Sequence, residues 1–339
     1  FTFNELVELI AQNTLNAKVP RVLYNWHYKQ KKQEPCTHNI SKDAIAFMSR
    51  EFDFSLPVID KVFESEDGTV KFLFKLHDQN RIETVLIPFH NKYSLCVSSQ
   101  VGCAMNCSFC YTGTQGLKRH LETFEIVGQF LEAWRWLEIH RPCEVRILNI
   151  VFMGQGEPLH NFDAVKKSCE IFLSQYGTSL GTQKITISTS GYLPGLKRWS
   201  DEIPGVNLAL SLHSPFEIKR NELIPINKKY PLSEILQYID EIPLNKKQFV
   251  IYEYLLIDGF NDDQDDAHQV GNLLQGKPAY INLIPFNPFP GSHYQRPTLD
   301  KVVRFKEVLD SYKIPTLIRG TKGDDVLAAC GQLNTIVRN

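Results

Sequence analysis

Three cysteines stand within eight residues, Cys103-Ala104-Met105-Asn106-Cys107-Ser108-Phe109-Cys110. Thiolates are soft ligands, so three on one short loop can wrap a compact metal centre, an iron–sulfur cluster or zinc. A structural zinc site wants four protein ligands, usually in two separated pairs. Here there are three, with no Cys or His beside them to complete the set. On a four-iron cluster, three thiolates leave one iron open to a small molecule. A second motif is Met153-Gly154-Gln155-Gly156-Glu157-Pro158. Its glycines let backbone approach a ligand closely, and a carboxylate at a strand end can hold an ammonium group.

The elements that must position these motifs alternate regularly. Strand candidates lie at Ser94–Val97, Ile147–Met153, Lys184–Thr189, Val206–Leu212, Gln248–Ile257 and Tyr280–Phe286. Between or after them come helical candidates at Phe124–Ile139, Phe162–Gln175, Leu193–Trp199, Leu232–Ile242, Asp265–Gln275 and Leu299–Ser311. Six β-then-α units with mostly apolar strands predict a parallel sheet covered by helices, an α/β partial (β/α)6 barrel with a lateral mouth. In such folds the chemistry gathers just past the strand ends, where both motifs fall. Upstream, Phe3, Leu6, Val7 and Ile10 recur at helical spacing. Arg21 to Tyr28 predicts a second helix, and Ser41 a cap for a third. Val70–Leu76 and Ile82–Pro88 read as a hairpin. The expected divisions are a helical accessory domain over 1–55, whose basic stretch Lys29, Lys31 and Lys32 makes it an expected RNA-binding domain, a hairpin linker over 56–92, the barrel over 93–312 and a C-terminal extension over 313–339.

Composition narrows the class. The chain has 339 residues, 43% hydrophobic and 22% charged, with 37 Lys and Arg against 38 Asp and Glu. That is globular composition without a global basic field, so any nucleic-acid contact must come from local patches such as Lys29–Lys32, Lys118–Arg119 and Lys228–Lys229. Eight cysteines are too sparse for a disulfide-stapled secreted domain. No apolar run reaches about 18 residues, and the start lacks a signal peptide's pattern, so the expectation is a soluble cytoplasmic protein. The chain does not begin with Met, which suggests trimming.

A C-x3-C-x2-C loop after the first strand of a partial barrel, followed one unit later by Gly-x-Gly-Glu, resembles the radical S-adenosylmethionine (SAM) superfamily. Its cluster is [4Fe-4S], and its open iron binds SAM. Longer segments resemble one family within it, the RlmN/Cfr group of radical SAM RNA methyltransferases. They are Cys96-Val97-Ser98-Ser99-Gln100-Val101-Gly102, Ser188-Thr189-Ser190-Gly191, Ser211-Leu212-His213, Pro225-Ile226-Asn227-Lys228-Lys229-Tyr230, Asn287-Pro288-Phe289-Pro290-Gly291 and Ala328-Ala329-Cys330-Gly331-Gln332-Leu333.

The resemblance implies cluster ligands Cys103, Cys107 and Cys110. It implies SAM contacts at Gly156, Glu157, Ser188, Ser211, Leu212, His213 and Asn287. It makes Cys330 the carrier that takes a methyl group from SAM, Cys96 the thiol that resolves a covalent RNA–protein adduct through a transient Cys96–Cys330 disulfide, and Glu83 the proton acceptor. The implied reaction is methylation of C2 of an adenosine in 23S rRNA, and in some members tRNA, by a monomer served by an electron donor such as a flavodoxin. The alternatives are C8 methylation, as in the Cfr branch, and an RNA-binding cluster or zinc protein without turnover. Two residues depart from the usual pattern. Gln155 replaces a methionine and is expected to tune the SAM pocket; Tyr111 is bulky where small residues are usual. Glu83, on an apparent edge strand, has a solvated side chain as its plain competitor reading. Cys36, Cys143 and Cys169 belong to no constellation.

Overall fold

The computed structural model describes residues 1–89, 92–144, 146–244 and 248–335; residues 336–339 of the expected C-terminal extension lie outside them. The first helix opens on a reciprocal cap. Glu5 N–H donates to Thr2 Oγ1 (3.3 Å), and Thr2 N–H donates to Glu5 Oε2 (2.9 Å). Helices α1 (Phe3–Gln12), α2 (Val19–Tyr24) and α3 (Lys42–Glu51) bury Leu6, Ile10, Leu23, Tyr24, Phe47 and Met48 against one another. Ser41 caps α3 as its position predicts, accepting from Ala44 N–H at 3.2 Å. The second helix is shorter than expected, because Asn25–Lys29 widen into a π turn. That turn aims Trp26 Nε1 at Glu34 O (2.8 Å) and His27 at Lys32 O (2.7 Å), fastening the chain that follows.

A single linear ten-stranded sheet organises the rest. Its strands are β1 (Val58–Glu64), β2 (Val70–Lys75), β3 (Arg81–Phe89), β4 (Lys92–Cys96), β7 (Ile147–Phe152), β8 (Ile185–Thr189), β9 (Asn207–Ser211), β10 (Val250–Leu256), β11 (Ala279–Pro285) and β12 (Thr316–Ile318), in that order across the sheet. The six barrel strands expected from sequence are β4 and β7 to β11, all parallel to one another. The supposed hairpin linker instead carries three strands, which extend the same sheet antiparallel at one edge. β12 adds a parallel strand at the other edge. β3 is therefore an interior strand, which overturns the edge-strand reading of Glu83.

Helices cover the parallel strands, as a sheet apolar on both faces requires. They are α4 (Thr123–His140), α5 (Phe162–Leu173), α6 (Leu193–Glu202), α7 (Glu217–Leu223), α8 (Leu232–Glu241), α9 (Gln264–Leu274) and α10 (Leu299–Ser311). Phe130, Phe172, Leu196, Ile235, Leu274 and Phe305 pack from them onto Ile150, Ile187, Leu208, Tyr252 and Ile281.

The cysteine loop does not leave β4 directly. It is the tip of a separate hairpin, β5 (Gln100–Gly102) with β6 (Leu117–His120). At its neck Gly102 adopts φ +75°, and a Cβ there would lie 1.8 Å from Gly116 O, so only glycine closes this loop. Buried polar side chains replace sheet hydrogen bonds where β4 ends. Gln129 of α4 accepts from Thr84 Oγ1 (2.6 Å) and Ser98 N–H (2.8 Å), and Ser98 Oγ donates to Glu83 O (2.5 Å).

Candidate active site

A cavity of about 160 Å³ opens at the C-terminal ends of the strands. Cys103, Cys107 and Cys110 form one wall. Burial pushes all three thiols up, Cys103 to about 12, and for Cys103 and Cys107 neighbouring thiols add to the rise. Thiolates massed in such a place need a cation, which a metal centre supplies. Among the described residues, no three His, Cys, Asp or Glu side chains converge as they would on one metal ion.

The opposite wall comes from the loops after β7, β8 and β9. Gly156, Glu157, Ser188, Ser211 and His213 all line the cavity. Gly154 and Gly156 form a cradle. A Cβ at Gly154 would lie 2.7 Å from the Val97 carbonyl group, and one at Gly156 (φ +105°) would lie 2.6 Å from Gln100 Cβ. Glu157 is fixed by Ser190, whose N–H and Oγ both donate to Oε2 at 2.8 Å, and by Leu159 N–H on Oε1 (3.2 Å). Burial raises its pKa against those donors. The result is an oriented carboxylate facing the thiol wall. His213 sits in the left-handed region (φ +56°), its Nδ1 accepting from Leu255 N–H at 3.1 Å. Burial, with Arg220 nearby, lowers it to about 3, so the ring is neutral.

The C-terminal segment closes the cavity. Tyr111 N–H donates to Gly331 O (2.7 Å) and Thr112 Oγ1 to Leu333 O (2.7 Å), stitching this segment to the cysteine loop. Cys330 is thereby placed on the cavity wall, where its exposure is to the cavity; the protein around it raises its thiol, and Arg319 counters that rise. Asn287 does not line the cavity. Its Nδ2 donates to Cys330 O (3.2 Å), while its Oδ1 accepts from Arg296 (3.0 Å) and Thr321 (3.1 Å). Leu212 also stays outside, its side chain in the core. Cys96 is buried behind Cys330, packed with Val85, Ala328 and Leu333, and close enough for the two sulfurs' charges to interact. All eight cysteines are free.

Glu83 is neither solvated nor on the cavity wall. It is 3% exposed, paired with Lys71 Nζ at 3.0 Å, and accepts from Asn334 N–H at 2.7 Å. Burial raises its pKa, opposed by Lys71. Gln155, expected to tune the SAM pocket, lies on the sheet side instead. It is fully buried, and its Oε1 accepts Glu83 N–H at 2.9 Å, joining the β7 loop to β3. Tyr111 has a plain role, its ring stacked on Phe289 at 4.9 Å and 13°.

Sequence reasoning missed Arg220, Gln100 and Glu253. Arg220 is fully buried, donating to Leu212 O, Ser190 O and Ser211 O at 3.0 to 3.1 Å and to Asn227 Oδ1. On a short helix it reads as a surface cation. Glu253, a cavity residue held by Asn282 Nδ2 at 2.8 Å, carried the only available signal, a charge inside an apolar strand. Two proposed RNA patches are partly engaged elsewhere: Lys31 sits over the Trp134 ring at 3.7 Å, and Arg119 is paired with Glu125 and Asp78.

A strand-end cavity with three thiols facing a glycine-cradled carboxylate is the site of a radical SAM enzyme. The model of the radical SAM superfamily matches residues 97–270. A radical SAM methyltransferase from Sphaerobacter thermophilus has the same structure, with TM-score 0.89, 36% identity, and 98% of this chain and 97% of that one covered. Two RNA methyltransferases called dual-specificity RlmN match in sequence. One, from Rhodopseudomonas palustris, is 43% identical over 88% of this chain and 77% of its own length. Another, from Syntrophobacter fumaroxidans, is 42% identical over 87% and 82%. The chain belongs to the RlmN family, SAM-dependent radical RNA methyltransferases whose cofactors are a [4Fe-4S] cluster and SAM. Among the described residues no helix is long and apolar enough to cross a membrane.

Proposed function

We propose that this chain methylates C2 of an adenosine in 23S rRNA and of an adenosine in tRNA, with Cys330 as the methyl carrier. One observation carries this reading: Cys330, 220 positions after the last cysteine of the loop, shares a single cavity with Cys103, Cys107, Cys110 and Glu157. The relatives' description as dual-specificity enzymes supports the two RNA classes. Cys103, Cys107 and Cys110 hold the cluster, and Glu157, Ser188, Ser211 and His213 hold SAM. When bound, the cluster and SAM would supply the radical that removes one hydrogen atom from the Cys330-bound methyl group, leaving the carbon that joins the adenine ring, and the cluster would take back one electron from the adduct.

The chain's own residues do the remaining work. The Cys330 thiol loses its proton and takes a methyl group by displacement at carbon, releasing the thioether product. Asn287 serves this step indirectly, by holding the Cys330 carbonyl. After the carrier carbon has joined the adenine ring, the ring proton leaves to a base; the base the resemblance implies, Glu83, lies off the cavity wall and is paired with Lys71, so it takes this proton only once that pair opens. Cys96 then attacks the Cys330 sulfur. The Cys330 S–C bond breaks, its electron pair stays with the released carbon, which picks up a proton, and a Cys96–Cys330 disulfide forms. An external donor reduces it before the next cycle.

Nucleoside mass spectrometry of rRNA and tRNA treated with the anaerobically reconstituted protein, SAM and reductant tests the reading. 2-Methyladenosine in both RNAs is expected. 8-Methyladenosine would move the chain to the other regiochemistry, and the absence of methyladenosine would overturn the assignment.

A further inference from the structure

We infer that His120, His160, Tyr192 and Tyr230 form a stacking rim for unpaired nucleotides of the RNA substrate at the edge of the cavity. The inference rests on RNA being the substrate and adds where and how its single-stranded part is held. His120 ends β6, His160 follows Glu157 by three residues, and Tyr192 follows Ser190 by two. Glu157 and Ser190 line the cavity, so the rim starts at its wall. The rings run as a chain, His120 to His160 at 4.9 Å and 87°, His160 to Tyr192 at 5.1 Å and 53°, Tyr192 to Tyr230 at 5.9 Å and 86°. His120 is exposed and the other three partly so. Lys229 stands over the Tyr230 ring at 5.3 Å, and Lys228 and Lys229 are both exposed.

One buried residue sets the chemistry of the two imidazoles. Gln100 is 0% exposed, and its Oε1 accepts Glu157 N–H at 2.8 Å, which turns its NH2 toward the rings. Nε2 lies 2.9 Å from His120 Nδ1 and 3.4 Å from His160 Nδ1. An amide nitrogen donates, so both Nδ1 atoms accept, and each neutral ring carries its hydrogen on Nε2. Neither Nε2 has a hydrogen-bond partner among the described residues. Burial lowers both histidines, consistent with neutral rings. The rim therefore offers neutral π faces, two outward N–H donors and adjacent lysines. That combination suits bases splayed from a loop, with their carbonyls and phosphates, and not a duplex whose base faces are covered.

Fluorescence titration of the full-length protein decides the matter, using an RNA hairpin with 2-aminopurine in its loop and a fully paired duplex of equal length. The wild-type protein should quench the hairpin probe and bind it more tightly than the duplex. Tyr192→Leu and Tyr230→Leu should each weaken hairpin binding about fivefold or more and reduce quenching, while leaving duplex binding unchanged. Tyr192→Phe, which keeps the ring, should behave as wild type, and SAM binding by equilibrium dialysis shows that each variant is folded. Leucine variants that bind and quench like wild type, or that lose hairpin and duplex binding equally, would overturn the rim. If the wild-type protein binds neither RNA, the RNA-substrate reading falls with it; if it binds the hairpin and the variants are silent, only the rim falls.

Discussion

Arg220→Met should damage both stability and SAM binding, because this guanidinium braces the loops behind the cavity. It reaches Ser190 O past β8, and Ser211 O and Leu212 O at the end of β9. Methionine keeps most of the apolar stem but supplies no donor, so three buried carbonyls lose a partner. Each such loss costs about 1–3 kcal/mol. Removing the buried charge, which burial holds down at about 10, returns a few kcal/mol of desolvation. The net expectation is a loss of about 3 kcal/mol. A chain of 339 residues has an unfolding entropy of about 0.7 kcal/mol/K, so this corresponds to a fall in Tm of about 4 °C. Ser190 also supplies both donors to Glu157 Oε2, so SAM affinity should fall about tenfold as that oxygen loses its fixed partners. Thermal unfolding and equilibrium dialysis read the two effects. A Tm within about 1 °C of wild type together with unchanged SAM affinity would show that the carbonyls find other donors, and the bracing role would be wrong.

Three further outcomes are expected. Gly154→Ala should abolish SAM binding, since its Cβ would meet Val97 and Ser98 backbone at 2.7–2.8 Å, whereas Gly320→Ala, with open space around it, should be silent; SAM binding retained in the first variant would contradict the cradle. Lys71→Met leaves the Glu83 carboxylate buried without its cation, and Lys71 Nζ also donates to Leu327 O at 3.2 Å. Breaking such a pair costs about 3–5 kcal/mol, so hydrogen exchange over residues 323–335 should rise, and unchanged exchange would exclude Lys71 as an anchor of the Cys330 segment. Burial holds His120 and His160 below the usual histidine range. The unfolded chain therefore takes up protons first, and the stability these groups contribute above about pH 6.5 is lost as pH falls through their folded values. A His120→Phe, His160→Phe double variant should flatten the stability–pH curve on the acid side; an unaltered curve would refute this.

Much of the frame was legible because its causes are local. Helix α10 occupies Leu299–Ser311, as its periodicity predicts, and the Ser41 cap forms where expected. The six parallel strands announce themselves as apolar runs, since both of their faces are covered. β1 gives little signal, with all but Ile59 of its residues exposed, and β12 has three residues; each exists because a neighbouring strand offers an unpaired edge. The contacts of Gln155 and Tyr111 could not be read from the sequence for the same reason. Their partners, Glu83 N–H and the Phe289 ring, lie 72 and 178 positions away.

The spacing of Cys103, Cys107 and Cys110 is a property of eight consecutive residues, so the kind of centre they suit follows from the chain alone, as do the glycine cradle and the alternation of strands and helices. What those thiols face is not a local property. Tertiary packing brings Cys330 onto the same cavity, puts Cys96 behind it, turns Glu83 toward Lys71 and Asn334, and buries Arg220 among three carbonyls. Contacts between positions hundreds of residues apart depend on sheet order and on which polar groups burial leaves in need of a partner, and neither quantity is defined until the chain has folded.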